Sequence, residues 1–135
     1  MKKTLRLVAL ALVLVMTVAA LASCGAPAKD PDDALAALKE NDYKAVKDLV
    51  VTPNVMKGLG IEGVTAVVSG SAEIDEKLEH VTIVYFASKD DAKDAMEKLE
   101  EYADDEKKDE DTEWVFKQSG AMIYYGTPAA IKAAK

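Results

Sequence analysis

Two hydrophobic patterns divide the chain. From Leu7 to Ala22 (LVALALVLVMTVAALA) sixteen residues run apolar, interrupted only by Thr17, after a basic start at Lys2, Lys3 and Arg6. Beyond Cys24 the apolar positions are short and periodic. Asp30-Pro31-Asp32-Asp33 predicts a helix start, with Asp30 as N-cap, Pro31 at the first helical position and two acids facing the positive end of the dipole. That helix carries Ala34, Leu35, Ala37 and Leu38 and stops near Asn41-Asp42. Tyr43 to Val51 fits two periods: Tyr43, Val46 and Val50 suit a helix face, while the β-branched end suits a strand, the preferred reading. Thr52-Pro53 resembles a second cap, opening a short helix ended by Gly58 and Gly60.

Val64 to Ser69 (VTAVVS) and Val81 to Phe86 (VTIVYF) are short, β-branched and bounded by turn signals, so they predict central strands. Ser88 and Asp91 form a capping-box-like start. After them Ala92, Ala95, Met96, Leu99, Tyr102 and Ala103 recur at the three-and-four spacing of one buried helix face. Asp104 to Thr112 (DDEKKDEDT) reads as a solvated loop. Glu113 to Gln118 and Ala121 to Gly126 flank Ser119-Gly120 as a hairpin, and Thr127-Pro128 opens a last short helix. The order predicts an α+β domain: an antiparallel sheet of four or five strands with helices packed on one face.

The apolar start is too short for a comfortable membrane span, which takes about 20 residues, and Gly25-Ala26-Pro27 cannot extend it as a helix. A basic start followed by such a run is the pattern of a secretion signal. Leu21-Ala22-Ser23-Cys24 resembles the lipobox of bacterial lipoproteins. The resemblance covers Met1 to Cys24 and implies cleavage before Cys24 by the lipoprotein signal peptidase. It further implies a diacylglycerol thioether on the Cys24 sulfur and, in many members, an acylated amine. It divides the chain into a signal peptide (1–23), a lipidated Cys with a tether (24–30) and one extracytoplasmic domain (31–135). Two or three acyl chains, at roughly 0.8 kcal/mol per buried CH₂, suffice for stable anchoring. Cys24 is the sole cysteine, so a disulfide within the chain is excluded.

Removing the signal takes away three bases and no acid, leaving 14 Lys against 24 Asp plus Glu, a net charge of −10. No Arg follows Arg6. The bidentate fork that recognises phosphate is therefore missing from the domain, and nucleic acid is not an expected partner. About 112 mature residues bury roughly two-thirds of their unfolded surface, enough to fold without disulfides or metal.

Candidate chemistry is sparse. His80 is the only imidazole, and neither Ser69, Ser71, Ser88 nor Ser119 sits in a nucleophile-elbow sequence, so no catalytic residue is assigned. Asp104, Asp105, Asp109 and Asp111 are candidate ligands for a hard cation, but their run lacks the alternation and the sixth-position Gly of an EF-hand loop. Gly58-Leu59-Gly60-Ile61-Glu62-Gly63 matches G-x-G-x-x-G. It follows a predicted helix and precedes a strand, the reverse of a dinucleotide fold, so no cofactor is expected. Trp114, Phe116 and Tyr124, at alternate strand positions, are a candidate aromatic binding face, with packing under the preceding helix as the ordinary alternative.

The expectation is a non-enzymatic, lipid-anchored binding or interaction module outside the cytoplasm, held to the membrane through Cys24 and able to take a protein partner. Alternatives are a small-ligand or divalent-cation-binding lipoprotein and, last, a carboxylate-based envelope hydrolase.

Overall fold

The computed structural model describes residues 25–107 and 113–135. In order they form α1 (Pro31–Glu40), β1 (Lys44–Asp48), α2 (Val51–Gly58), β2 (Val64–Ile74), β3 (Lys77–Phe86), α3 (Lys89–Glu106), β4 (Val115–Ser119), β5 (Met122–Gly126) and α4 (Pro128–Ala133). The five strands make one sheet in the order β1-β2-β3-β5-β4, with every neighbouring pair antiparallel. The expected α+β class and the antiparallel sheet appear; within Tyr43 to Val51 the strand is limited to Lys44–Asp48, and the β-branched Val50-Val51 that suggested it cap and open α2.

The helices, however, cover both faces of the sheet rather than one. On the first face Val68, Val81, Ile83, Tyr85 and Tyr124 pack against Ala34 and Leu38 of α1 and Ala130 and Ile131 of α4. On the second, Val67, Val84, Phe86, Ile123 and Tyr125 meet Met56 of α2 and Ala92, Ala95, Leu99 and Ala103 of α3. Every residue from Val81 to Phe86 is buried. A strand covered on one side alternates, whereas one covered on both sides is buried throughout. The uninterrupted VTIVYF run carried that information.

The central hairpin also reaches further than its β-branched cores. β2 and β3 stay paired out to Ile74 and Lys77, closed by Asp75 and Glu76, both at positive φ (52° and 65°), as a two-residue hairpin turn of the primed kind requires. The β4–β5 turn falls on Gly120-Ala121, one residue later than expected, because Ser119 pairs with Met122.

α1 begins as its sequence says: the Asp30 carboxylate accepts the Asp32 N–H at 2.8 Å. Its other end is a Schellman motif. Tyr43 N–H reaches Leu38 O at 2.9 Å and Asp42 N–H reaches Lys39 O at 3.1 Å, with Asp42 at φ 65°. Burial of Tyr43 against Leu38 supplies the apolar contact that accompanies this cap.

Residues 25–28 do not form the free tether expected of them. Ala26 and Ala28 pack on the first core, the Ala28 N–H donates to Ala134 O at 3.0 Å, and the Tyr85 hydroxyl donates to Ala28 O at 2.8 Å. Small side chains let this stretch lie flat against α4, which a bulkier spacer could not do. Cys24 and the signal segment lie outside the described residues, among which no helix is long and apolar enough to cross a membrane.

Candidate interaction surface

β1 is an edge strand whose end is fixed by one carboxylate. Asp48 accepts the N–H groups of Val50 (2.9 Å), Val51 (2.9 Å) and Thr52 (2.8 Å) and the Thr52 hydroxyl (2.7 Å). The cap of α2 is thus Asp48 reaching forward, and Thr52-Pro53 lies inside the first turn instead of opening it. Those bonds, led by the Val50 N–H and the Thr52 hydroxyl, hold the Asp48 carboxyl down to about 2.

The other end of α2 is a second Schellman motif: Ile61 N–H to Met56 O at 2.9 Å, Gly60 N–H to Lys57 O at 3.0 Å, and Gly60 at φ 84°. Met56 and Ile61 are both buried in the second core. GLGIEG is therefore a helix exit, and its first glycine ends α2 instead of following a strand.

Capped at both ends and anchored by Met56, α2 turns Val51, Val55 and Leu59 outward, one stripe at four-residue spacing beside the buried one. With Val46, Leu49 and Val50 they make six large aliphatic residues between 52% and 66% exposed, all within fourteen positions. Val46 and Asp48 share a sheet face by strand alternation, so Val46 lies on the face that carries α2. Lys47, on the other face, is ion-paired with Asp32 of α1. Sequence reasoning missed this surface. The Val51/Val55/Leu59 spacing was there to be seen, but periodicity alone does not say whether an apolar stripe is covered.

A polar cluster lies elsewhere on the same face, at the end of α3. His80 Nε2 is 2.9 Å from Thr82 Oγ1 and 3.5 Å from Glu106 Oε2, and the Thr82 hydroxyl donates to Glu106 at 3.4 Å. A nucleophile relay needs hydroxyl and carboxylate on opposite ring nitrogens. Here both lie at Nε2, and Thr82 is buried, so the cluster joins α3 to β3 without building a relay. Glu106 also explains why α3 runs to Glu106 and takes Asp104 and Asp105 out of the expected loop.

The candidate aromatic face divides. Trp114 and Phe116 share a side, with ring centroids 6.1 Å and 6.0 Å from Tyr125, and they pack into the core under α3. Tyr124 sits on the opposite face, in the first core, because it pairs with Lys117 while Tyr125 pairs with Phe116. Among the described residues the buried Tyr125 hydroxyl makes no hydrogen bond of good geometry, although the Thr82 and Glu106 side chains lie close to it; burial first, then the Glu106 charge, pushes its pKa up. His80 stacks on Trp114 at 6.4 Å.

Of the candidate cation ligands, Asp104 and Asp105 are exposed on the last turn of α3, and Asp109 and Asp111 lie outside the described residues. Among the described residues no group of three or more His, Cys, Asp or Glu side chains is placed to hold a metal ion. An open cleft of about 410 Å³ lies between Lys29, Thr65, Tyr85 and Met122. Lys29 is the one charged side chain in its lining. In comparisons with known proteins the chain matches no family model, no curated protein and no solved structure.

Proposed function

We propose that this protein is a lipid-anchored, extracytoplasmic interaction module: Cys24 holds it to the membrane, and the surface formed by β1 and α2 engages a protein partner. The observation that carries the reading is the aliphatic set from Val46 to Leu59, six of the eight large aliphatic residues exposed among the described residues, the other two being Ile74 and Leu78 at the tip of the β2–β3 hairpin. Apolar groups gathered in one exposed region mark interaction sites, whereas scattered ones need no explanation. The lipobox resemblance at Leu21-Ala22-Ser23-Cys24 supports the anchor. The packed stretch from Ala26 to Ala28 then leaves only Gly25 between the lipidated residue and the folded body, so the domain rides close to the bilayer.

The test uses the full chain in cells fed a clickable fatty acid. The parent protein should carry the label and sediment with membranes, and Cys24→Ala should do neither. Membrane association by an unlabelled Cys24→Ala protein overturns the anchor. For the surface, Val51→Ser/Val55→Ser should keep the label and the thermal midpoint but lose a larger complex on native electrophoresis of detergent extracts. An unchanged complex, or none in the parent, overturns the interaction role.

A further inference from the structure

We infer that the partner at this surface is a second copy of the same chain, joined through β1 by antiparallel pairing about a two-fold axis at Val46. The inference rests on the reading of β1 and α2 as an interaction surface.

β1 pairs with β2 on one side only, and its five residues keep an unbroken register with no bulge. It contains no proline. An open, regular edge is a template for another strand, and proteins ordinarily blunt it with charge, bulge or proline. Three of its five residues are charged, but Lys47 is tied to Asp32 within the molecule, which leaves Lys44 and Asp48 as the charges a second strand would meet. On the opposite edge β4 has its flanking aromatics packed beneath α3 and places Lys117 outward. The exposed aliphatic residues gather at β1 alone of the two edges.

Closed two-fold pairing requires a self-complementary strand. Lys44-Ala45-Val46-Lys47-Asp48 is one. Antiparallel pairing centred on Val46 sets Val46 against Val46 of the second copy and Lys44 against Asp48 of the second copy, twice. Opposite charges across a strand pair attract, and apolar pairs at its centre exclude water. Capping α2 leaves the Asp48 charge in place, and two of its bonds are on the exposed side. Centring one residue later would oppose Lys47 with Lys47, and one residue earlier would set Lys44 against Val46. Only the Val46-centred register sets Lys44 against Asp48 and Val46 against Val46 on the face that carries α2; on the other face it sets Ala45 beside Lys47, whose charge Asp32 already meets.

The experiment is disulfide crosslinking of the full chain in its native membranes, with Val46→Cys as the probe and Lys117→Cys on β4 as the control edge. Paired strands hold opposed Cα atoms within the range a disulfide spans. Under mild oxidant Val46→Cys should give a reducible dimer of twice the monomer mass, at least tenfold above both Lys117→Cys and the parent with Cys24 alone. Adding Lys44→Glu, which opposes two acids, should lower that yield several-fold at an unchanged thermal midpoint. Equal yields at positions 46 and 117 overturn the self-pairing, and indifference to Lys44→Glu overturns its register. Crosslinking of Val46→Cys to a different protein overturns the second-copy assignment while leaving the interaction surface standing. No crosslink from position 46 to any protein removes the self-pairing; the complex seen on native electrophoresis then decides separately whether the surface reading survives.

Discussion

A methyl group on Gly126 would sit 2.1 Å from the carbonyl oxygen of His80. Gly126 lies at φ 147°, and immediately after it the Thr127 N–H donates to that same carbonyl at 2.8 Å. The absent side chain lets β5 close on β3 at the point where the chain turns into α4. Gly126→Ala combines an overlap with backbone, which cannot swing aside, and a strained φ, so it should cost about 3 kcal/mol or more. Denaturant unfolding measures this; a loss below about 1 kcal/mol would mean that the two strands separate freely there.

Asp48 gives the acid limb of stability a definite sign. Its carboxyl is held at about 2, below its ordinary 3.8, so the folded state favours the ionised form. That contribution is complete above pH 4 and is lost as pH falls from there through about 2. Asp48→Asn should lower the thermal midpoint at neutral pH and flatten the decline between those limits. A variant whose acid limb superimposes on that of the parent would remove Asp48 as its source.

Asp42 and Glu76 both occupy the left-handed region, at φ 65°. Neither owes that conformation to its own chemistry: Asp42 sits at the Schellman position after α1, and Glu76 closes the β2–β3 turn. Asp42→Gly and Glu76→Gly should each stabilise by about 0.5 to 1 kcal/mol, the relief of a Cβ clash less the entropy that glycine adds to the unfolded chain. Separate thermal melts check each one, and destabilisation by either would show that the carboxylate does something there that the backbone does not reveal.

Two buried tyrosines should respond oppositely to loss of the hydroxyl. Tyr85 donates to Ala28 O at 2.8 Å, so Tyr85→Phe should cost about 1 kcal/mol and speed amide exchange at Ala28. The Tyr125 hydroxyl finds no well-aligned partner among the described residues, so Tyr125→Phe should be neutral or stabilising by up to about 1 kcal/mol. Equal losses would mean that Tyr125 has a hydrogen bond in solution.

Much of the fold was legible because local signals agreed. Asp30-Pro31 opens a helix, Ser88 caps α3 through the Asp91 N–H, and the element order follows from period and turn residues. What local signals left out was decided across the sheet. Gly70 to Glu73 has little strand propensity of its own, yet it is strand because Glu79 to Val81 and Leu78 lie opposite. Trp114, Phe116 and Tyr124 alternate correctly within their own strands, but a face is shared only through cross-strand register, which gives the place to Tyr125. The exposed aliphatic surface was hardest to see. Val46, Val51 and Val55 are chemically core residues, and only the packed molecule shows that none of the described residues covers them.

The central claim is that the surface from Val46 to Leu59 meets a protein in the cell. The most direct test places a photo-crosslinking amino acid at Val55 of the full chain, with Lys93 on the exposed side of α3 as the control. Irradiation of living cells should give an adduct of discrete mass from position 55 and none from position 93. No adduct at 55, or the same smear from both positions, would contradict the account.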